Sequence, residues 1–129
     1  MIVLDTHAWI WWVSEPSLLS DRAATAISQS KTVGICPISC WELSTKVANG
    51  KLTLDREVTV WVKQALTRAR VNLVPFSAEV AVRAGQLGKM GFHGDPADRI
   101  ITATALEHRA PLVTKDRRIS EFSLVQTIW

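Results

Sequence analysis

The sequence predicts an α/β domain in which a parallel sheet is covered by helices on both faces. Two observations carry this reading. Short, continuously apolar runs recur along the chain, as strands buried on both faces require. Amphipathic helical patterns separate them, and strands alternating with helices pair in parallel. The first run is Ile2-Val3-Leu4 and the second Val33-Gly34-Ile35-Cys36. Asn72-Leu73-Val74 before Pro75 is the third, Leu112-Val113-Thr114 the fourth and Leu124-Val125 the fifth. Between the first two, Leu19, Ala23, Ala26 and Ile27 form a stripe behind a Ser20 cap. Ser39-Cys40-Trp41-Glu42 reads as a capping box opening a helix that stops near Asn49-Gly50. Val58, Trp61, Val62, Ala65 and Ala69 make a further stripe, and Val80, Ala84 and Leu87 another. Asp95-Pro96-Ala97-Asp98 is a start signal, an Asp cap with proline at the first helical position, for a helix reaching about Arg109.

The 129 residues suit one domain, 1–129, long enough to fold without staples. Apolar residues are 47% and charged ones 21%, which excludes a disordered or fibrous chain. Ala8-Trp9-Ile10-Trp11-Trp12-Val13 is far shorter than the ~18 residues of a membrane span. Asp5 follows the first apolar run at once, with no basic segment before it, so the expected location is the cytoplasm, with no membrane partner. Cys36 and Cys40 are four apart without the rest of a zinc set, and read as small buried side chains. The net charge of +3 and pI of about 9.2 are compatible with a polyanionic partner but do not demand one. Among the tryptophans, Trp41 and Trp61 fall at apolar helix positions and are expected in the core.

In such a sheet, ligands sit beyond the carboxyl ends of the strands, at the topological switch point. Asp5 ends the first strand and Asp116 lies two residues beyond the fourth. Glu42 and Asp98 fall in the first turns of helices that follow strands, so all four acids can converge at that edge. Singly, Glu42 reads as half of a capping box, Asp98 as a complement to a helix dipole and Asp116 as a turn residue. Asp5 has no evident structural purpose. Together, close carboxylates repel, and a cation would relieve them. Oxygen donors without a histidine or cysteine set suit Mg²⁺ or Mn²⁺, and acid ligands on a basic surface suggest phosphodiester chemistry. Arg99, Arg117 and Arg118 follow site acids and Lys46 lies one helical turn after Glu42. They are candidates to hold RNA phosphates, and equally candidates for ion pairs with the acids.

Four segments, in order and at family spacing, resemble the PIN-domain ribonucleases and, within them, the VapC toxins. They are Leu4-Asp5-Thr6-His7 with Trp11-Trp12; Ser39-x-Trp41-Glu42-Leu43 with Lys46 and Gly50-Lys51-Leu52; His93-Gly94-Asp95-Pro96-Ala97-Asp98-Arg99 with Ile101-x-Ala103-x-Ala105; and Leu112-Val113-Thr114-x-Asp116. The resemblance implies a three-layer α/β/α sandwich around a parallel sheet of four or five strands. It implies a metal-dependent endoribonuclease, the toxin of a toxin–antitoxin pair, that leaves 5′ phosphate and 3′ hydroxyl ends. Asp5, Glu42, Asp98 and Asp116 fall on the family's acidic site for one or two Mg²⁺ or Mn²⁺ ions, with Asp5 and Asp98 the first choices as direct ligands. Thr114 matches a position where a hydroxyl helps to hold the site. Thr6 is a lesser candidate by adjacency. Asp95 and Asp98 are a helical turn apart and either can point at the metal, so Asp95 is a ligand or a helix cap; the D-x-x-I-x-A-x-A spacing aligns Asp98 with the family ligand, which makes Asp95 a cap and outer support. The family also implies a cognate antitoxin, for which Trp9, Trp11 and Trp12 offer an apolar landing patch, and a homodimer. The histidines are not needed as bases: His7 is expected to make a local structural hydrogen bond, and His93 and His108 to be ordinary surface or core residues.

Rival readings fare worse. A phosphatase using Asp5 as nucleophile wants a second acid two residues on, where His7 stands. A receiver-like module wants an acid at the end of the third strand, where Val74-Pro75-Phe76-Ser77 offers none. A catalytically silent PIN-like module binding RNA or protein is the alternative, against which the complete set of acids argues.

Overall fold

A computed structural model describes residues 1–129. The strands are β1 (Ile2–Leu4), β2 (Val33–Ile35), β3 (Val71–Leu73), β4 (Leu112–Val113) and β5 (Thr127–Ile128). The helices are α1 (Thr6–Ser14), α2 (Asp21–Gln29), α3 (Pro37–Ala48), α4 (Val58–Leu66), α5 (Ala78–Gln86), α6 (Pro96–Glu107) and α7 (Arg117–Ser120). The strands form one parallel sheet in the order β3-β2-β1-β4-β5. From β1 the chain winds outward through β2 to β3, then returns to β4 and β5 on the other side. The direction of winding therefore reverses between β1 and β4, which opens a crevice at their carboxyl ends. Register sets what lines it: Leu4 pairs with both Ile35 and Val113, so Asp5 and Thr114 leave the sheet side by side.

Strand alternation divides the core. Ile2 and Leu4 face one layer with Trp9 of α1, Ala23 and Ile27 of α2, Leu43 of α3 and Trp61 and Ala65 of α4. Val3 faces the other, with Val80 and Ala84 of α5, Ile101, Ala103 and Ala105 of α6 and Ile119 of α7. This is the expected three-layer sandwich. No helix is long and apolar enough to cross a membrane.

Several local expectations change. The fifth strand is Thr127–Ile128, because those residues pair with Leu112 and Val113. Val125 is buried in the second core just before the strand instead. The third strand begins one residue early, although Val74 N–H still donates to the Ile35 carbonyl at 2.8 Å. The apolar run Ala8–Val13 is helix α1, unannounced by amphipathic periodicity because all sides of it meet core or half-buried surface. The capping box at Ser39 does not form. Pro37 opens α3 two residues earlier, its fixed φ suiting the first helical position, and Cys36 is the cap residue. Glu42 therefore lies in the second turn of α3. Ser20 caps α2 through Ala23 N–H at 3.1 Å, and Asp95 caps α6 through Asp98 N–H at 3.1 Å, as the sequence predicts.

Two helices end alike. After α3, Gly50 adopts φ +70° while Lys51 N–H reaches back to the Lys46 carbonyl at 2.9 Å. After α6, which stops at Glu107 rather than Arg109, Ala110 N–H reaches the Ala105 carbonyl at 2.9 Å. Arg109 takes the left-handed position at φ +50°.

Candidate active site

Asp5 is 3% exposed and both its oxygens are engaged. Oδ1 accepts from Thr6 N–H at 2.7 Å, so Asp5 is the cap residue of α1, a structural purpose its position in sequence does not reveal. Oδ2 accepts from the Thr114 hydroxyl at 2.7 Å across the β1–β4 crevice. That hydroxyl also accepts from Asp116 N–H at 3.0 Å, so one buried oxygen ties together the ends of two strands and the start of α7. Asp116 caps α7 through Arg118 N–H at 2.8 Å.

The acids from the two long helices arrive from the same edge. Thr6 Oγ1 lies 2.5 Å from Glu42 Oε1 and 2.9 Å from Ser39 Oγ, so α1 holds α3 through a buried hydroxyl relay. Asp98, in the first turn of α6 and 8% exposed, has its Oδ2 at 2.7 Å from His93 Nε2. Burial pushes the Glu42 carboxyl above its ordinary range; the Thr6 hydroxyl opposes this, and the charges of Asp5 and Asp98 add to it. Burial likewise raises Asp98, against the His93 hydrogen bond and with the charges of Asp5 and Asp95. Asp5, Glu42 and Asp98 thus lie within each other's fields. Asp116 behaves differently. Burial pushes it up, but the hydrogen bonds and charge of Arg118 outweigh that and hold it below the ordinary range. It sits at the rim of the inner three.

No three acidic, histidine or cysteine side chains stand close enough together to ligate one metal ion as they are placed. Asp5, Glu42 and Asp98 instead form an open set of oxygens, two of them made reluctant to ionise chiefly by burial and further by the charges of neighbouring acids. Such a set fits a hard divalent cation that keeps part of its water shell.

The other expected residues separate. Arg118 lies on the acids, with Nη2 at 3.2 Å from Asp116 Oδ2 and 3.6 Å from Asp98 Oδ2. Lys46 is half-buried on α3, and its charge opposes the rise of Glu42. Arg117 is paired with Glu121 at 3.7 Å on the exposed side of α7. Arg99 is committed to the backbone: its Nε donates to the His93 carbonyl at 2.7 Å and its Nη2 to that of Phe92 at 3.3 Å. Trp9 is fully buried, edge-to-face with Trp61 at 5.3 Å between centroids, so it cannot serve as a landing patch. Its position faces the sheet at the start of α1. Trp11 and Trp12 are half-buried, with the Arg68 guanidinium 4.3 Å from the Trp12 ring. Trp41 is 61% exposed rather than core, because the buried face of α3 runs through Ser39 and Leu43, nearly half a turn away on the opposite side of the helix. Asp95 is exposed at its cap.

Sequence reasoning missed His93 as the partner of Asp98, although it stands just two residues before the Asp95 cap. It also missed Ser39 as the partner of Thr6. Neither contact has a local signal. His7 makes a structural hydrogen bond, though not the local one expected: its Nε2 accepts from Lys115 N–H (3.2 Å), 108 residues away.

The PIN domain family profile matches residues 2–124. The chain is 39% identical to Ribonuclease VapC22 of Mycobacterium tuberculosis over 119 residues, 92% of this chain and 88% of that protein. Its fold is similar to a chain in the crystal structure of VapBC2 from Rickettsia felis bound to a DNA fragment from their promoter, with TM-score 0.70 and 19% identity over 98% of this chain and 97% of that one. It is similar also to a chain of FitAcB from Neisseria gonorrhoeae, with TM-score 0.65 and 25% identity over 98% and 96% of the two chains.

Proposed function

The chain belongs to the PIN-domain family, in its VapC branch, and from that premise we propose that it is a Mg²⁺- or Mn²⁺-dependent endoribonuclease acting as the toxin of a toxin–antitoxin pair. The observation that carries the chemistry is the convergence of Asp5, Glu42 and Asp98, from three separate elements, on the crevice between β1 and β4. Asp5, Asp98 and Glu42 would hold one or two cations, with Asp116 at the rim. A divalent cation bound there supplies an activated water and charge stabilisation for phosphodiester hydrolysis. The chain's own part is positional and acid–base. Thr114 and Thr6 fix the orientations of Asp5 and Glu42 through their hydroxyls. His93 does the same for Asp98. Glu42, whose proton affinity is raised by burial, is suited to accept a proton from the attacking water. Arg118, released from Asp98 and Asp116, is within reach of a substrate phosphate, and Lys46 adds positive charge on the α3 side.

An antitoxin partner is supported by the relatives, among which a toxin–antitoxin complex from Klebsiella pneumoniae shares the fold. Trp12 remains as its apolar landing residue, and a homodimer is proposed on family grounds. The test is cleavage of total RNA by purified protein in Mg²⁺, Mn²⁺ or EDTA, beside Asp5→Asn and Asp98→Asn. Discrete metal-dependent fragments, absent from both folded variants, are expected. Undiminished cleavage by the variants, or cleavage in EDTA, refutes the assignment.

A further inference from the structure

On the β5 side of Asp5, three aromatic rings meet at the carboxyl edge of the sheet. His7 and Trp11 lie one turn apart on α1, with centroids 5.0 Å apart. Trp129, directly after β5, brings its ring to 5.7 Å from Trp11 and 6.4 Å from His7. All three are half-buried, so each is anchored and each keeps an accessible part. Lys115, exposed between Thr114 and Asp116, places its Nζ 5.8 Å from the Trp11 centroid. The group is joined to the acids. Lys115 N–H donates to His7 Nε2, which leaves the His7 Nδ1 side facing Asp5 Oδ2 at 3.6 Å.

The rings are tilted to one another, Trp11 by 56° to His7 and 55° to Trp129, so they form a corner rather than one flat surface. From this juxtaposition we infer that Trp11 is a stacking platform for an unpaired nucleobase next to the scissile phosphate, with Trp129 and His7 as its side walls and Lys115 holding the adjoining backbone phosphate. The inference rests on the ribonuclease reading and assigns to these residues the holding of a base unpaired at the cleavage point. Three features favour RNA over a protein occupant. The rings are contiguous with Asp5 through His7, so whatever lies on them lies beside the reacting group. A cation stands over the Trp11 ring, 5.8 Å from its centroid, close enough to meet the phosphate of a base laid against that ring. Aromatic faces with adjacent positive charge are how proteins bind single strands without reading sequence. A base inside a duplex has both faces covered by its neighbours and cannot use the platform.

The experiment measures binding of one fluorescein-labelled oligoribonucleotide, as a single strand and annealed to its complement, to protein carrying Asp98→Asn, so that the probe survives. Trp11→Ala is expected to weaken single-strand binding about tenfold or more, the usual effect of losing one stacked base, while hardly changing duplex binding. Trp11→Phe retains most of the affinity, which guards against a packing defect from truncating a half-buried indole. Lys115→Gln, at an exposed position, lowers the slope of log affinity against log salt by about one. The platform is overturned if Trp11→Ala, with a wild-type melting curve, binds the single strand undiminished. It is equally overturned if Trp11→Ala loses single strand and duplex alike, or loses only the capture of a co-expressed antitoxin. The parent reading fails separately: wild-type protein that cleaves no RNA in Mg²⁺ or Mn²⁺ refutes the nuclease whichever way the binding falls.

Discussion

Replacing Thr114 by valine should loosen the site and the fold together. The side chain is 1% exposed, and valine has nearly its shape, so packing is preserved while the hydroxyl is removed. Two hydrogen bonds go with it: the one donated to Asp5 Oδ2 at 2.7 Å and the one accepted from Asp116 N–H at 3.0 Å. A hydrogen bond to a charged acceptor contributes about 1.5–3 kcal/mol, and an amide left without a partner costs about another 1 kcal/mol or more. Burying a methyl in place of a hydroxyl returns roughly 1 kcal/mol. The net loss is about 2–3 kcal/mol. With an unfolding entropy of about 2.1 cal/mol/K per residue, that lowers Tm by roughly 10 °C for a chain of this size. Thr114→Ser keeps the hydroxyl and loses one buried methyl, about 1 kcal/mol. Scanning calorimetry in EDTA should therefore rank wild type above serine above valine. Metal-dependent cleavage should follow the hydroxyl, falling far more in the valine variant than in the serine one. A valine variant that melts at or above the serine variant refutes the tie between Thr114 and the two acids.

Further outcomes follow from the same geometry. The folded-state proton affinities of Glu42 and Asp98 are raised, so their contribution to stability is fully present below the ordinary carboxylate range and is lost as pH rises through their folded values. Urea unfolding in EDTA should show wild type less stable at about pH 8 than at about pH 5, with Glu42→Gln reducing the difference and added Mg²⁺ restoring stability; a difference unchanged by Glu42→Gln counts against the buried cluster. Asp116, whose carboxyl is held below the ordinary range, acts in the opposite sense and weakens the fold only as pH falls through its folded value. Arg109→Gly relieves a left-handed backbone that arginine adopts at a cost, where α3 uses Gly50, and should raise stability by about 1 kcal/mol, or about 4 °C in Tm; no gain would mean that Arg109 is held there by a compensating contact. Burial pushes the Cys36 thiol up to about 12, so iodoacetamide at about pH 8 should leave Cys36 unmodified until the protein unfolds, with Cys40 slow but modified first, as peptide mass spectrometry would resolve.

Much of the architecture is legible in the chain because the signals for it are local. An apolar triplet such as Ile2-Val3-Leu4 announces a doubly covered strand wherever it falls. Asp95-Pro96 announces a helix start because the carboxylate and the fixed φ act within one turn. The errors arise where two local signals compete. Pro37 and Ser39 both offer a start for α3, and the earlier one holds because Cys36 continues directly from β2. Leu124-Val125 is the more apolar pair, but the ladder to β4 begins at Thr127, since Val125 fills the second core.

The sequence by itself determined that four acids stand at positions leading to one edge of a parallel sheet, and that they lie in motifs of the PIN type. Only the tertiary structure decided how they differ. Asp5, Glu42 and Asp98 are mutually repelling because β1, α3 and α6 converge on one crevice, while Asp116 is neutralised at the rim by Arg118. The same is true of the hydroxyl relay from Ser39 through Thr6 to Glu42, of His93 on Asp98, and of Trp9 in the core with Trp41 in solvent. Hydrogen bonds and burial depend on what the rest of the chain brings alongside, across separations such as the 109 residues between Asp5 and Thr114, and no pattern within either segment carries that information.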